Sequence, residues 1–365
     1  MKNTFGSALT LTLFGESHGK EVGAVLDGLA PGMDVDEERV RRFLSLRRPS
    51  GALSTARREE DPFEITSGVY RGKTTGTPLC IRIPNRDVKS ESYEEMASLA
   101  RPGHADFTAN EKYHGFQDAR GGGHFSGRVT APLVAAGAIL TGALEKKGIV
   151  TGTHVLAAAS VYDRAFSGEK AELLSLQEKE FAVLDEEKGK EMAKAILEAK
   201  EDGDSVGGIL ETEVLGMPAG VGEVWFDSVE SCLSHALFSI PAVKGVEFGT
   251  GFGFAAMRGS EANDAFRNEN GTIVTRTNHN GGVNGGITSG MPIVFRTVVK
   301  PTPTIFKEQD TVDLLTGKEA RLAGKGRHDP CIVHRARVVQ DAVTALVLAD
   351  LLTVRFGTDF LGETK

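Results

Sequence analysis

Apolar residues fall in short blocks near the start of the chain: Leu9 to Phe14, Val22 to Leu29, Phe63 to Tyr70 and Leu79 to Ile83. Each block is bounded by glycine, proline or polar residues, which predicts strands. Between the second and third, Val40, Phe43 and Leu44 share one helical face behind Asp36, a good N-cap residue, and Pro49 forbids continuation. The stretch from Ser126 to Lys147 is rich in alanine and leucine and stops at Gly148, predicting a buried helix despite Pro132 near its start. A second such helix is expected from Ala336 to Arg355, apolar enough to pack on both sides. A further strand is expected from Pro292 to Val299. Residues 169–201 are charged, helical in composition and poor in large apolar residues, which suggests a peripheral excursion.

One pattern recurs. Val22-Gly23-Ala24-Val25-Leu26-Asp27 precedes a Gly-Leu-Ala-Pro-Gly turn and an acidic helix start. Val206-Gly207-Gly208-Ile209-Leu210-Glu211 precedes Gly216-Met217-Pro218-Ala219-Gly220 and a helix expected over Asp227 to Ser239. This suggests a duplication in which each half ends on one apolar helix. The expected fold is α+β: a single interlocked domain over residues 1–365, with pseudo-twofold halves and apolar helices packed with antiparallel sheets. No Pro/Ser-rich linker divides the halves.

Composition narrows the function classes. With 40% apolar and 25% charged residues the chain has globular proportions, and no membrane span, which needs roughly 18 consecutive apolar residues, is expected. Met1 to Gly6 lacks an apolar signal region, so a cytoplasmic location is expected. Cys80, Cys232 and Cys331 are scattered, against a disulfide framework, a zinc site or an iron–sulfur site, and no metal is expected. Fifty acidic against 42 basic residues argue against nucleic-acid binding. Glycine is the exception, at 44 of 365 residues, about 12% where ~7% is usual, and much of it is clustered.

The glycine clusters carry the candidate chemistry. Gly15-Glu16-Ser17-His18-Gly19 places a histidine between glycines at a strand end, which suits either a presented imidazole or a turn cap. In Arg101-Pro102-Gly103-His104-Ala105-Asp106 the carboxylate either orients His104 or caps the next segment. Gly121-Gly122-Gly123-His124-Phe125-Ser126-Gly127-Arg128 brings N–H groups, a hydroxyl and a cation to a helix N-terminus, where anions bind. Arg47-Arg48 with Arg57-Arg58 is either a solvated loop or an anion site. Residues 278–290 form a glycine-rich loop, Lys300-Pro301-Thr302-Pro303-Thr304 a proline-fixed cation and hydroxyls, and Lys325 to Cys331 another cation, imidazole and carboxylate. One large anion site built from distant segments explains these loops together. No G-x-x-x-x-G-K-[ST], H-E-x-x-H or G-x-S-x-G occurs.

In this order, FGESHG, RRPSG…ARREED, SGVYRGKTTGTP, RPGHAD, the triple-glycine loop, NH.GG..GGI.SG, KPT.TI and GRHDPC resemble the chorismate synthase family from about Phe14 to Asp350. The resemblance implies reduced FMN as cofactor, the flavin being reduced either by the chain itself with NADPH or, the favoured alternative since no extra reductase domain is evident, by an external flavin reductase with NADPH as an indirect electron source. It implies 5-enolpyruvylshikimate 3-phosphate as substrate, a 1,4-elimination to chorismate without net redox change, and a homotetramer. It further implies His18 and His104 as acid–base histidines and Asp329 as the carboxylate beside the flavin N5. Arg47, Arg48, Arg128 and Arg327 would grip substrate anions. His124, Phe125, Ser126, Pro241, Ala242, Gly285, Lys300, Pro301, Thr302, Pro303, Thr304 and Arg327 would contact the flavin. Two departures stand out. His124 and Phe125 replace the family's usual arginine and serine, and the arginine loop is one residue short near Leu53.

Overall fold

Strands come first, because the early blocks alternate and glycines end them. In the computed structural model, which describes residues 2–54, 60–86, 98–324 and 328–363, β1 (Thr4–Phe5), β2 (Thr10–Gly15), β3 (Glu21–Asp27), β4 (Glu64–Ser67) and β5 (Leu79–Pro84) form an antiparallel sheet in the order β1-β2-β3-β5-β4. The strand expected over Phe63 to Tyr70 is interrupted. Gly68 turns at φ +84°, where a Cβ would lie 2.5 Å from the Leu79 Cα, and Val69–Tyr70 instead opens a tight hairpin with Lys73–Thr74. Helix α1 (Glu37–Arg47) starts where expected, the Asp36 carboxylate accepting from the Glu38 and Arg39 N–H groups.

After α2 (Asp106–Tyr113) comes α3 (Thr130–Lys146). Pro132 sits in its first turn, where a missing N–H breaks no bond. Then β6 (Val150–Ala158), β7 (Val161–Tyr162), α4 (Lys170–Leu176), α5 (Glu186–Glu201), β8 (Gly208–Leu215), α6 (Val229–Leu237), β9 (Val243–Phe248), β10 (Ile293–Val299) and α7 (Val333–Phe356) follow. The second sheet runs β9-β10-β8-β6-β7, again antiparallel. Helix α3 packs on β3 and β5, α7 packs on β6 and β8, and the two helices pack on each other between the sheets. Their close approach depends on Gly137, where a Cβ would fall 2.3 Å from that of Ala342.

Residues 127–146 pass a length-and-composition test for a membrane span, but 83% of the tested window is buried in the fold, as the expected buried helix requires. The excursion packs on the second sheet, with Leu173 against Gly152 of β6, and within it Val183 packs against Gly189. Beneath it, His154 lies 2.9 Å from Asp163 and 3.1 Å from Glu211. Neighbouring Glu213 is pushed up from 4.5 to about 7 by burial and then by Glu211.

The duplication is real, with a corrected register. Strand β8 begins at Gly208, so Val206 and Gly207 precede it, and Gly28 corresponds to Gly216 at the turn. Asp27 therefore matches Leu215 rather than Glu211. Each glycine passes over the start of the neighbouring strand, a Cβ there meeting Ala8 O at 2.0 Å or Gly148 O at 2.3 Å. The Thr74 hydroxyl donates to Ala30 O and accepts from Met33 N–H, and the Thr288 hydroxyl does the same with Pro218 O and Val221 N–H. Around these threonines, GVYRGKTTGTPL (68–79) and GVNGGITSGMPI (282–293) share a further repeat.

Candidate active site

The strand ends nearest the N-termini of α3 and α7 carry the expected loops. Gly121, Gly122 and Gly123 take φ +57°, +83° and +53°, a run of left-handed backbone that side chains disfavour. The bare backbone lets two histidines approach from opposite halves of the loop. A Cβ on Gly121 would lie 2.5 Å from His18 Nε2, and one on Gly122 would lie 3.5 Å from His104 Cε1. The His18 loop is fixed by the Ser17 N–H donating to Gly123 O at 3.0 Å. His124 adds a lock, its Nδ1 lying 2.8 Å from Gly15 O. That is what this departure from the family pattern does here, while Phe125 turns its ring edge-on to Tyr113 at 6.1 Å. Ser126 accepts from the Arg128 N–H and caps the turn that leads into α3.

His104 is oriented from behind. Its Nδ1 lies 2.9 Å from Asp106 Oδ1, and Arg101 grips the same carboxylate through Nε and Nη2, each at 2.7 Å. Burial would raise the Asp106 carboxyl, but Arg101 and His104 outweigh it and hold it well below the usual carboxylate range. An anionic Asp106 favours hydrogen on Nδ1, whereas the Arg101 Nη2 donor 3.0 Å from the same atom favours a bare Nδ1; either way the two neighbours fix the ring with Nε2 on the side of the glycine loop. Of the two readings of Asp106, the structure bears out the orienting one: α2 starts at Asp106 behind Ala105 with no side-chain cap, and the carboxylate is spent on Arg101 and His104. Lys300 Nζ donates to Gly103 O, its own N–H donates to Ala242 O at 2.9 Å, and Ala242 is left-handed at φ +74°. Pro303 packs against Gly103, and Thr302 O accepts from Ser205 Oγ at 2.7 Å. A cavity of ≈520 Å³ opens here, lined by Ala157, Ala159, Ser205, Gly207, Val298 and Pro301 among others. The larger cavity, ≈920 Å³ between Met33, Arg39 and Lys146, contains none of the expected residues.

The arginines meet on a residue the sequence did not single out. Asp61, with a side chain wholly buried, bonds Arg47 Nη2 at 2.8 Å and Arg128 Nη1. Burial would raise its carboxyl; the two guanidiniums prevail and lower it. Arg48 Nη1 donates to Glu60 O at 3.1 Å. Asp329 pairs with Arg335, also not anticipated, whose Nε donates to Arg47 O at 2.8 Å. The Val206 N–H donates to Pro330 O, which returns the path to the Ser205–Thr302 contact. Glycines, histidines, arginines, Asp329 and Lys300 to Thr304 thus form one closed ring of contacts around two helix N-termini.

Some expected members stand apart. Arg327, like Arg57 and Arg58, lies outside the described residues. Pro241 is exposed beside Ala242. Gly285 sits on the hairpin at the Ile293 end of β10, whereas Lys300 follows its Val299 end, roughly 20 Å away at ~3.3 Å per residue. Gly285 therefore does not join the ring within one chain.

Fold and ring together describe an α+β protein whose candidate site draws on both halves of the chain. Residues 9–353 match the family model described as chorismate synthase. The chain is 46% identical to the chorismate synthase of Aeropyrum pernix, over 97% of this chain and 93% of that one. It is 47% identical to those of Thermococcus kodakarensis (96% and 97% covered) and Chitinophaga pinensis (96% of each). A solved structure titled as that of chorismate synthase superposes with a TM-score of 0.75 at 31% identity, covering 98% of this chain and 95% of the other. The chain belongs to the chorismate synthase family.

Proposed function

We propose that this protein converts 5-enolpyruvylshikimate 3-phosphate to chorismate, a 1,4-trans elimination of phosphate and a ring hydrogen at the last common step toward the aromatic amino acids. The observation that carries this reading is the closed ring, with two imidazoles against one bare glycine loop and two buried arginines joined on Asp61. Arg47, Arg48 and Arg128, with Arg327, hold the carboxylate and phosphate groups, the planar fork suiting oxyanions. His18 and His104 keep protons available, the His104 ring held through its Nδ1 by Asp106 and Arg101. Asp329 serves as the carboxylate base, fixed by Arg335.

The residues fit reduced FMN. Thr302 Oγ1 is buried without a hydrogen-bond partner among the described residues, on the segment that would contact the flavin. Ala242 holds a strained left-handed conformation beside it. When bound, the reduced flavin lends electron density that helps phosphate depart and recovers it as the hydrogen is lost, so no net redox change results. In this reading NADPH acts indirectly, through an external flavin reductase, and the enzyme works in the cytoplasm. It works as a homotetramer, and the distance of Gly285 from Lys300 supports a second copy supplying the Gly285 hairpin.

A binding titration tests the shared pocket. Oxidised FMN should bind more tightly in the presence of the phosphorylated substrate, and additive, independent binding counts against it.

A further inference from the structure

Asp61 is buried, charged and left-handed at φ +47°, a conformation in which aspartate is tolerated but not favoured. Such strain persists where the surroundings over-determine it. Here the surroundings are two arginines from two different helices, Arg47 at the last turn of α1 and Arg128 just before α3. Their bonds extend beyond the pair. Arg128 Nε donates to Asn85 Oδ1 at 2.9 Å, and Asn85 Nδ2 donates to Glu16 O and Gly19 O, each at 2.9 Å, on either side of His18. On the other side, Arg47 O accepts from Arg335, which pairs with Asp329.

We infer that Asp61 is a positioning residue: it sits at the centre of a polar relay, Gly19–Asn85–Arg128–Asp61–Arg47–Arg335–Asp329, that holds the His18 loop and Asp329 in register across the two halves of the fold. Its carboxylate also bonds both guanidiniums assigned to the ligand anions, Arg47 and Arg128, and lowers the positive field they present. This rests on the proposed function for the purpose of that register, but not for the anion seat itself.

The test uses Asp61→Asn, close in shape and without charge, in the full-length protein. Inorganic phosphate is titrated by calorimetry and turnover is measured on the phosphorylated substrate. Removing the charge beside the arginines should tighten phosphate binding by about tenfold, the order expected for one unit charge at the effective dielectric of a protein site. Turnover should fall by about tenfold or more as the His18 loop and Asp329 lose register. A merely structural aspartate moves neither quantity in opposite directions. Weaker or unchanged phosphate binding, or no phosphate binding to the unchanged protein, overturns the proposal whatever the physiological substrate is. Unaltered turnover in a variant that binds phosphate more tightly also overturns it. Should Asp61→Asn not fold, Asn85→Ala breaks the relay at its half-buried end: turnover reduced about threefold or more supports the relay, and wild-type turnover refutes it.

Discussion

Adding one methyl group to the glycine loop should disable the enzyme without unfolding it. In Gly121→Ala the new Cβ falls 2.5 Å from His18 Nε2 and 3.0 Å from Ser17 Oγ. Ordinary contact needs about 3.5 Å, so the imidazole must retreat by about 1 Å. A displacement of about 1 Å in a catalytic group costs up to ~10² in rate. The stability effect is small by comparison. Left-handed backbone costs alanine about 1–2 kcal/mol. Over 365 residues the unfolding entropy is ~0.8 kcal/mol/K, so the midpoint should drop by only about 1–3 °C. Gly148→Ala separates strain from displacement, because Gly148 is also left-handed at φ +82° but a Cβ there has nothing within 4 Å. Steady-state turnover and thermal unfolding of both variants decide the matter. Both should melt slightly early and only Gly121→Ala should lose turnover. Full activity in Gly121→Ala would refute the placement of His18 on the loop.

Three further outcomes are expected. His18→Ala and His104→Ala should each lower turnover by about 10² or more with thermal unfolding near wild type, and wild-type rates would make both histidines structural. Asp329→Asn should fold and bind FMN and substrate nearly normally while its single-turnover rate falls; loss of binding alone would count against a catalytic carboxylate. Glu213→Gln tests the buried acid under the excursion. A carboxyl raised from 4.5 to about 7 gives the wild type a stabilising proton below pH 4.5, and that contribution is lost as pH rises through 7. Gln should therefore raise the melting temperature at pH 8 and change it little near pH 4.5, and a pH-independent difference would contradict the burial of Glu213.

Much of the fold was legible because local chemistry and tertiary structure agree. Asp36 caps α1, Gly148 follows α3, and glycine ends β3 and β8. The interrupted strand at Gly68 was not legible, since the break comes from the close approach of Leu79 on the paired strand β5, a contact that the local sequence around Gly68 does not encode. The duplication was visible, but matching VGAVLD to VGGILE aligned similar letters rather than equivalent pleats, and the turn threonines fix the register. The site's histidines and the Lys300 segment were readable from their glycine and proline settings. Asp61 and Arg335 were not: nothing local distinguishes Asp61 from Glu59 and Glu60, or Arg335 from Arg337, until α1, α3 and α7 converge. The acidic triplet beside the arginine pairs was the one available signal for Asp61. Gly285 shows the limit of the reverse inference, because a motif match does not say which copy of the chain brings the residue to the site.

The most direct measurement is an anaerobic assay of the purified protein with 5-enolpyruvylshikimate 3-phosphate and chemically reduced FMN, following chorismate and phosphate together. The two products should appear in equal amounts and only with reduced flavin, and the flavin should still be reduced at the end. Equal turnover without flavin, or phosphate released without chorismate, would contradict the proposed elimination.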